Sequence, residues 1–321
     1  MFETLFSIAG KTVRIASDRK DSPYLQFIEE LGAHRNLDRE GSTPDAEILL
    51  HPRDYSERSP LRLPKDARLI RKGNRRVYQR GKEFFIDFHQ NAFFRLKDFH
   101  AEGVCYFDET LDPVFWSEIC INHVLFLLLR RLNRFPLHAG GVQPAGGPAV
   151  FFVGKNGAGK TTATVYLANQ GCSYFGDDIV LFDSQGYIYP YLKRPALTEW
   201  TLDVLHLRER VVARRRTGKF LLPPFPAALP TKNFRIFLLF ERGHDAAGER
   251  PGCSIGSSAP LEPAVIEDMI RSQTEACHTD NLLGAPCPPL DFLVDRARPL
   301  PEFRLEDFSK ILDQFLPAAV Q

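Results

Sequence analysis

The chain of 321 residues is long enough for one large domain or two modest ones, and 44% hydrophobic with 25% charged residues is an ordinary globular composition. Lys and Arg number 41 against 40 Asp and Glu, so the formal net charge of +1 supplies no overall field to hold nucleic acid or an anionic membrane. Cys105, Cys120, Cys172, Cys253, Cys277 and Cys287 form no Cys-x-x-Cys pair and no zinc spacing, and their scatter suits a reducing cytosol better than a disulfide scaffold.

The opening Met1–Ile8 carries Glu3 where a signal peptide wants positive charge, and its apolar stretch is too short for one. The longest apolar run, Val124–Leu129, is closed by Arg130 and Arg131 and falls far short of a membrane span. These features predict a cytoplasmic protein without membrane attachment. Residues 1–110 read as a β-rich N-terminal domain. Its predicted strands are Lys11–Ile15, Ala46–Leu50, Arg76–Gln79 and Glu83–Phe88, with turns at Lys72–Arg75 and Arg80–Lys82 and a short helix over Pro23–Leu31.

The pattern changes at Asp112, and residues 111–321 are expected to form an α/β domain. Pro113, Phe115, Ile119 and Val124–Leu128 predict a long buried helix ending near Asn133. Strands follow from Leu137-His138-Ala139-Gly140 and at Ala149–Val153, then a helix over Thr161–Gln170 that Gly171 stops. Ile179–Phe182 and Arg235–Phe240 read as strands, Pro263–Gln273 and Leu305–Phe315 as helices, and 243–260 as a surface loop.

Gly154-Lys155-Asn156-Gly157-Ala158-Gly159-Lys160-Thr161 matches G-x-x-x-x-G-K-[ST]. Glycines let backbone N–H groups converge on phosphate oxygens, and the following helix adds the partial positive charge of its N-terminus. Lys160 is placed to reach the terminal phosphates, the Thr161 hydroxyl to ligate Mg²⁺, and Thr162 to line the same end of the helix. The bland alternative is a Gly-rich turn without ligand. The buried strand before the loop and the helix after it favour the phosphate reading.

Asp177 and Asp178 come soon after Lys160, through one helix and a short return, with the apolar Ile179–Phe182 behind them. Adjacent carboxylates beside phosphates suit two tasks, holding Mg²⁺ and accepting a proton from an attacking hydroxyl. The alternative is an Asp-Asp turn that merely caps a strand. The basic run Arg208–Lys219 is a solvated loop, a segment that closes over a nucleotide or a grip for an acidic acceptor, and Lys193 and Arg194 carry the same ambiguity. One short basic stretch and no recognised module argue against nucleic acid. No Asn-Lys-x-Asp segment occurs, which favours ATP over GTP, and no Leu-Ser-Gly-Gly-Gln stretch points to a transporter ATPase.

Phe135-Pro136-Leu137-His138-Ala139-Gly140-Gly141, the loop 154–161, the helix ending Asn169-Gln170-Gly171, and Gly176-Asp177-Asp178 together resemble the HPr kinase/phosphorylase-like family, whose catalytic domain is similar to part of phosphoenolpyruvate carboxykinase. The resemblance covers residues 135–182, with a weaker continuation through Pro190–Pro195 and Phe234–Glu241. It implies a mixed-sheet P-loop domain that binds ATP and Mg²⁺ and phosphorylates a hydroxyl. In that reading Lys160 neutralises phosphate, Thr161 and Asp178 hold Mg²⁺, Asp177 is the general base, and His138 stands beside the active site or is simply structural. Family members are often oligomeric, so the resemblance extends a homo-oligomer to this chain. The Gly-rich signature that HPr kinases carry after the Asp pair is missing, which argues against HPr as acceptor and leaves the acceptor an unidentified protein, peptide or small molecule. Two other readings stay open: a nucleotide-binding regulatory module without phosphoryl transfer, and carboxykinase-like chemistry, whose additional ligands have no evident place in the sequence.

Overall fold

A computed structural model of the chain describes residues 2–19, 43–53, 59, 61–73, 75–89, 92–106, 120–215, 218–239, 262–277 and 287–299. The expected helices at Pro23–Leu31 and Leu305–Phe315 and the loop 243–260 lie outside these residues. The chain is mixed α/β and divides into two compact units, one of Met1–Arg134 with 280–286, the other of Phe135–Thr279 with 287–321. No described helix is long and apolar enough to cross a membrane.

The first unit is built on strands β1 (Phe2–Ile8), β2 (Lys11–Ser17), β3 (Ala46–Arg53), β4 (Arg68–Arg71), β5 (Arg76–Arg80), β6 (Glu83–Asp87), β7 (Ala92–Lys97) and β8 (His100–Tyr106). They form one eight-stranded sheet in the order β1-β2-β3-β8-β7-β6-β5-β4. β3 is parallel to both neighbours and every other pairing is antiparallel. Along β3, Ala46, Ile48 and Leu50 are buried while Glu47, Leu49 and His51 are only half-buried, the alternation a one-sided sheet requires. Helix α1 (Asn122–Arg131) also falls in this unit, although its place in the sequence assigned it to the α/β domain. Val124–Leu129 are buried all round, so the helix has no polar stripe to mark which layer it covers.

The second unit carries β9 (Phe135–Leu137), β10 (Ala139–Gln143), β11 (Ala149–Gly154), α2 (Lys160–Asn169), β12 (Ser173–Gly176), β13 (Val180–Phe182), β14 (Ile188–Tyr189), β15 (Ala196–Leu197), α3 (Glu199–Val204), β16 (Ala213–Arg214), β17 (Phe220–Leu221), β18 (Phe234–Leu239), α4 (Pro263–Cys277), α5 (Asp291–Val294) and β19 (Ala297–Pro299). Its central sheet has the order β12-β10-β11-β18-β19, with β11, β18 and β19 mutually parallel and β10 antiparallel to both neighbours. Small sheets β14-β13-β9 and β15-β17-β16 flank it. Phe151, Phe152 and Val153 of β11 are buried, as befits a strand paired on both sides. On one side of this sheet, Val150, Phe152, Val165, Leu167, Leu202 and Phe237 share a hydrophobic cluster that fixes α2.

The strand expected to start at Leu137 is divided. β9 pairs with β13 in one small sheet and β10 joins the central sheet, so His138 occupies the break between them. A continuous strand would have pointed its side chain by simple alternation. The change of sheet frees it for a different direction.

Candidate functional site

The loop 154–161 leaves the carboxyl end of β11 and runs into α2, so a buried parallel strand anchors one side and a buried helix the other. Lys155, Asn156 and Gly157 are exposed, whereas Ala158 and Lys160 are buried. Gly159 is the residue preceding α2 and has φ 93°, a left-handed conformation that a side chain would strain. That turn brings Lys160 back across the loop, where its Nζ donates to Gly154 O at 2.7 Å and to Lys155 O at 2.9 Å. Thr162 is buried on the first turn of α2, and Thr161 is half-buried with its hydroxyl donating to Asp177 O at 3.3 Å. The structure therefore brings the loop and the Asp pair into direct contact.

β12 ends at Gly176 beside Gly141 of β10, which delivers Asp177 to the edge of the loop. Asp177 is only 7% exposed, and its Oδ1 accepts a 2.8 Å hydrogen bond from the Tyr174 hydroxyl within the protein interior. Burial, helped by the neighbouring Asp178 charge, pushes its carboxyl up to about 6. The Tyr174 hydrogen bond and the positive charges of Lys193 and Lys219 act in the other direction. Burial and Asp177 in turn push the Tyr174 phenol well above its ordinary range, so Tyr174 stays a donor.

The adjacent carboxyl behaves oppositely. Asp178 has a side chain 59% exposed, and its Oδ1 lies 3.2 Å from His138 Nε2. Desolvation works to raise it, but the His138 hydrogen bond and the charges of Lys193, His138 and Lys219 outweigh that and hold the carboxyl below the usual range. The β9–β13 register explains the contact, because Leu137 opposite Val180 carries His138 past Ile179 to Asp178. The other ring nitrogen, Nδ1, is 3.1 Å from Gln273 Oε1 of α4. Two adjacent aspartates thus differ sharply, one near neutrality and buried, the other ionised at the surface.

The Thr161 hydroxyl, which meets Asp177 O, and the exposed carboxylate of the next residue, Asp178, are hard oxygen donors of the kind taken by Mg²⁺, a cation usually bound by one or two protein groups with the rest of its shell from phosphate and water. Among the described residues no group of three or more His, Cys, Asp or Glu could hold a metal ion by itself.

Most of the described basic run is engaged away from this centre. Arg208 pairs with Asp203 and Glu199, Arg210 hydrogen-bonds Asn169 and lies over the Phe225 ring, and Arg214 lies over Phe220. Lys219, at the end of the run, does act on both aspartates, as does Lys193. Tyr174 and Gln273 carried no signal in the sequence, since each is defined only by what it touches. Comparison with models of known protein families and with curated proteins finds no match.

Proposed function

We propose that this chain is an ATP- and Mg²⁺-dependent phosphotransferase that phosphorylates a hydroxyl of a protein, peptide or small-molecule acceptor, on a P-loop domain of the HPr kinase/phosphoenolpyruvate carboxykinase type. The observation that carries the reading is the contact between the loop and the Asp pair, with Thr161 on Asp177 O and two carboxyls pushed in opposite directions. A pair of titratable groups driven apart by their surroundings is what acid–base division of labour needs. The mixed central sheet, with β10 antiparallel beside the loop strand, is consistent with the proposed domain type.

Lys160 is the cation for the β- and γ-phosphates, exchanging its loop carbonyl partners for phosphate oxygens. Thr161 and Asp178 are the metal's protein ligands, and Mg²⁺ when bound neutralises phosphate charge and orients it for in-line displacement. Asp177 takes the acceptor's hydroxyl proton as that oxygen attacks the γ-phosphorus and the bond to the bridging oxygen of ADP breaks. Tyr174 occupies Oδ1, which leaves Oδ2 to receive the proton. A carboxyl near 6 is ionised at neutral pH and still basic enough to accept a proton in flight.

Asp177→Asn separates binding from chemistry. The variant is expected to keep ATP affinity within about threefold while losing turnover by at least about a hundredfold, the usual scale for a general base. Unchanged turnover would remove Asp177 from the role of base, and a wild type that binds ATP without turning it over would replace the kinase reading with that of a nucleotide-binding module.

A further inference from the structure

Gln273 has no place in the site as the loop and the Asp pair define it, yet the structure builds it into the same array. It is buried on α4, and it holds His138 twice. Its backbone O accepts from His138 N at 3.4 Å, and its side-chain Oε1 faces His138 Nδ1 at 3.1 Å. The amide is oriented, because Gln273 Nε2 donates to Ser272 Oγ at 3.3 Å and Ser272 Oγ donates in turn to Met269 O at 2.8 Å. That places the oxygen, not the NH₂ group, against the ring. The order is therefore Ser272, Gln273, His138, Asp178, four side chains in one row. Gln273 Oε1 and the Asp178 carboxylate are both acceptors, so the row needs an N–H at each ring nitrogen of His138, and it ends on the residue next to Asp177, whose backbone O takes the Thr161 hydroxyl.

A histidine ring that swings freely delivers its Nε2 to a carboxylate only part of the time. Anchoring Nδ1 on a fixed acceptor sets the ring plane and keeps Nε2 aimed, the arrangement by which outer partners orient groups around metal and phosphate sites. We infer that Gln273 is a positioning residue that fixes His138, and through it the Asp178 carboxylate, in the geometry required for the metal–nucleotide complex. The inference rests on the phosphotransferase reading for its consequence, but not for the contact itself.

The test has two arms. In the first, protein labelled with ¹⁵N-histidine is studied by NMR without nucleotide or metal. A His138 Nδ1–H resonance protected from exchange is expected in the wild type, lost in Gln273→Leu, and retained in Gln273→Glu, which keeps an acceptor oxygen. Thermal unfolding of Gln273→Leu within a few degrees of wild type excludes a general loss of fold. In the second arm, Gln273→Leu is expected to raise the Mg²⁺ concentration needed for half-maximal turnover by about tenfold, the low end of outer-partner effects. Its metal-free ATP affinity stays unchanged, and Gln273→Glu restores the Mg²⁺ requirement. His138 signals indifferent to Gln273→Leu overturn the inference, as does a Mg²⁺ requirement that does not move in an active enzyme. If the first arm succeeds and the wild type shows no nucleotide turnover, the positioning of His138 stands and the phosphotransferase reading fails.

Discussion

Asp177→Asn offers a prediction about stability that is independent of any assay of turnover. The Asp177 carboxyl is raised from 3.8 to about 6 by burial and by Asp178, so the folded protein binds its proton more tightly than the unfolded chain does. Such a group favours folding while protonated. Its contribution is complete below about pH 4 and is lost as pH rises through 6. Two pH units at 1.36 kcal/mol each give about 3 kcal/mol lost by the wild type across that window. Asparagine has no charge to bury, and its amide oxygen still accepts from the Tyr174 hydroxyl. The variant is therefore expected to be more stable than wild type by up to about 3 kcal/mol at pH 8, with the difference shrinking toward zero at pH 4. Urea unfolding of both proteins at half-unit steps from pH 4 to 8 measures it, and subtraction removes every titration the two share. Parallel stability curves, or a variant that loses ground as pH rises, would show that Asp177 is not a buried carboxyl held near neutrality.

Three further perturbations follow from the same geometry. Tyr174→Phe removes a hydrogen bond to the ionised form of Asp177, worth about 1.5–3 kcal/mol, and is expected to move the acid limb of the pH–rate profile upward from about 6 by one to two units. Lys219→Ala removes a positive charge that favours the ionised carboxyl, so the same limb shifts upward by a smaller step, read from the same profile. Gly140→Ala places a methyl 2.1 Å from Thr164 Oγ1 and 3.3 Å from Lys160 O, a clash between β10 and buried α2 expected to cost about 1–3 kcal/mol in urea unfolding. Adding Thr164→Ala removes the nearest atom and is expected to recover part of that loss.

The parts of the fold that depend on short stretches are legible in the sequence. Strand β11, the loop and helix α2 lie close to where hydrophobicity and the glycine pattern put them, and β2, β3, β5 and β6 likewise. Strand β1 was hidden because Phe2–Ile8 alternates too weakly to stand out from a generic N-terminus, β7 because adjacent Phe93 and Phe94 blur its alternation, and β8 because Ala101 and Gly103 carry little hydrophobic signal. The sheet order is a non-local property. Nothing within Ala46–Arg53 announces that β3 runs between β2 and the much later β8. The site divides the same way. Lys160, Thr161, Asp177 and Asp178 are identifiable by spacing, but Tyr174 and Gln273 acquire a role only through register and helix packing. His138 illustrates both cases, since its presence is evident in the sequence while its break between two sheets is set by pairing with β13.

Equilibrium binding of ATP with Mg²⁺ to the protein, beside Lys160→Ala and at matched salt, tests the phosphate-loop reading most directly. Measurable affinity in the wild type and a loss of at least about tenfold in the variant are expected, because in the phosphotransferase reading Lys160 is the cation that neutralises the terminal phosphates. Absence of affinity for ATP in the wild type, or equal affinity in Lys160→Ala, would contradict the phosphate-loop reading and reduce the loop to a turn between β11 and α2.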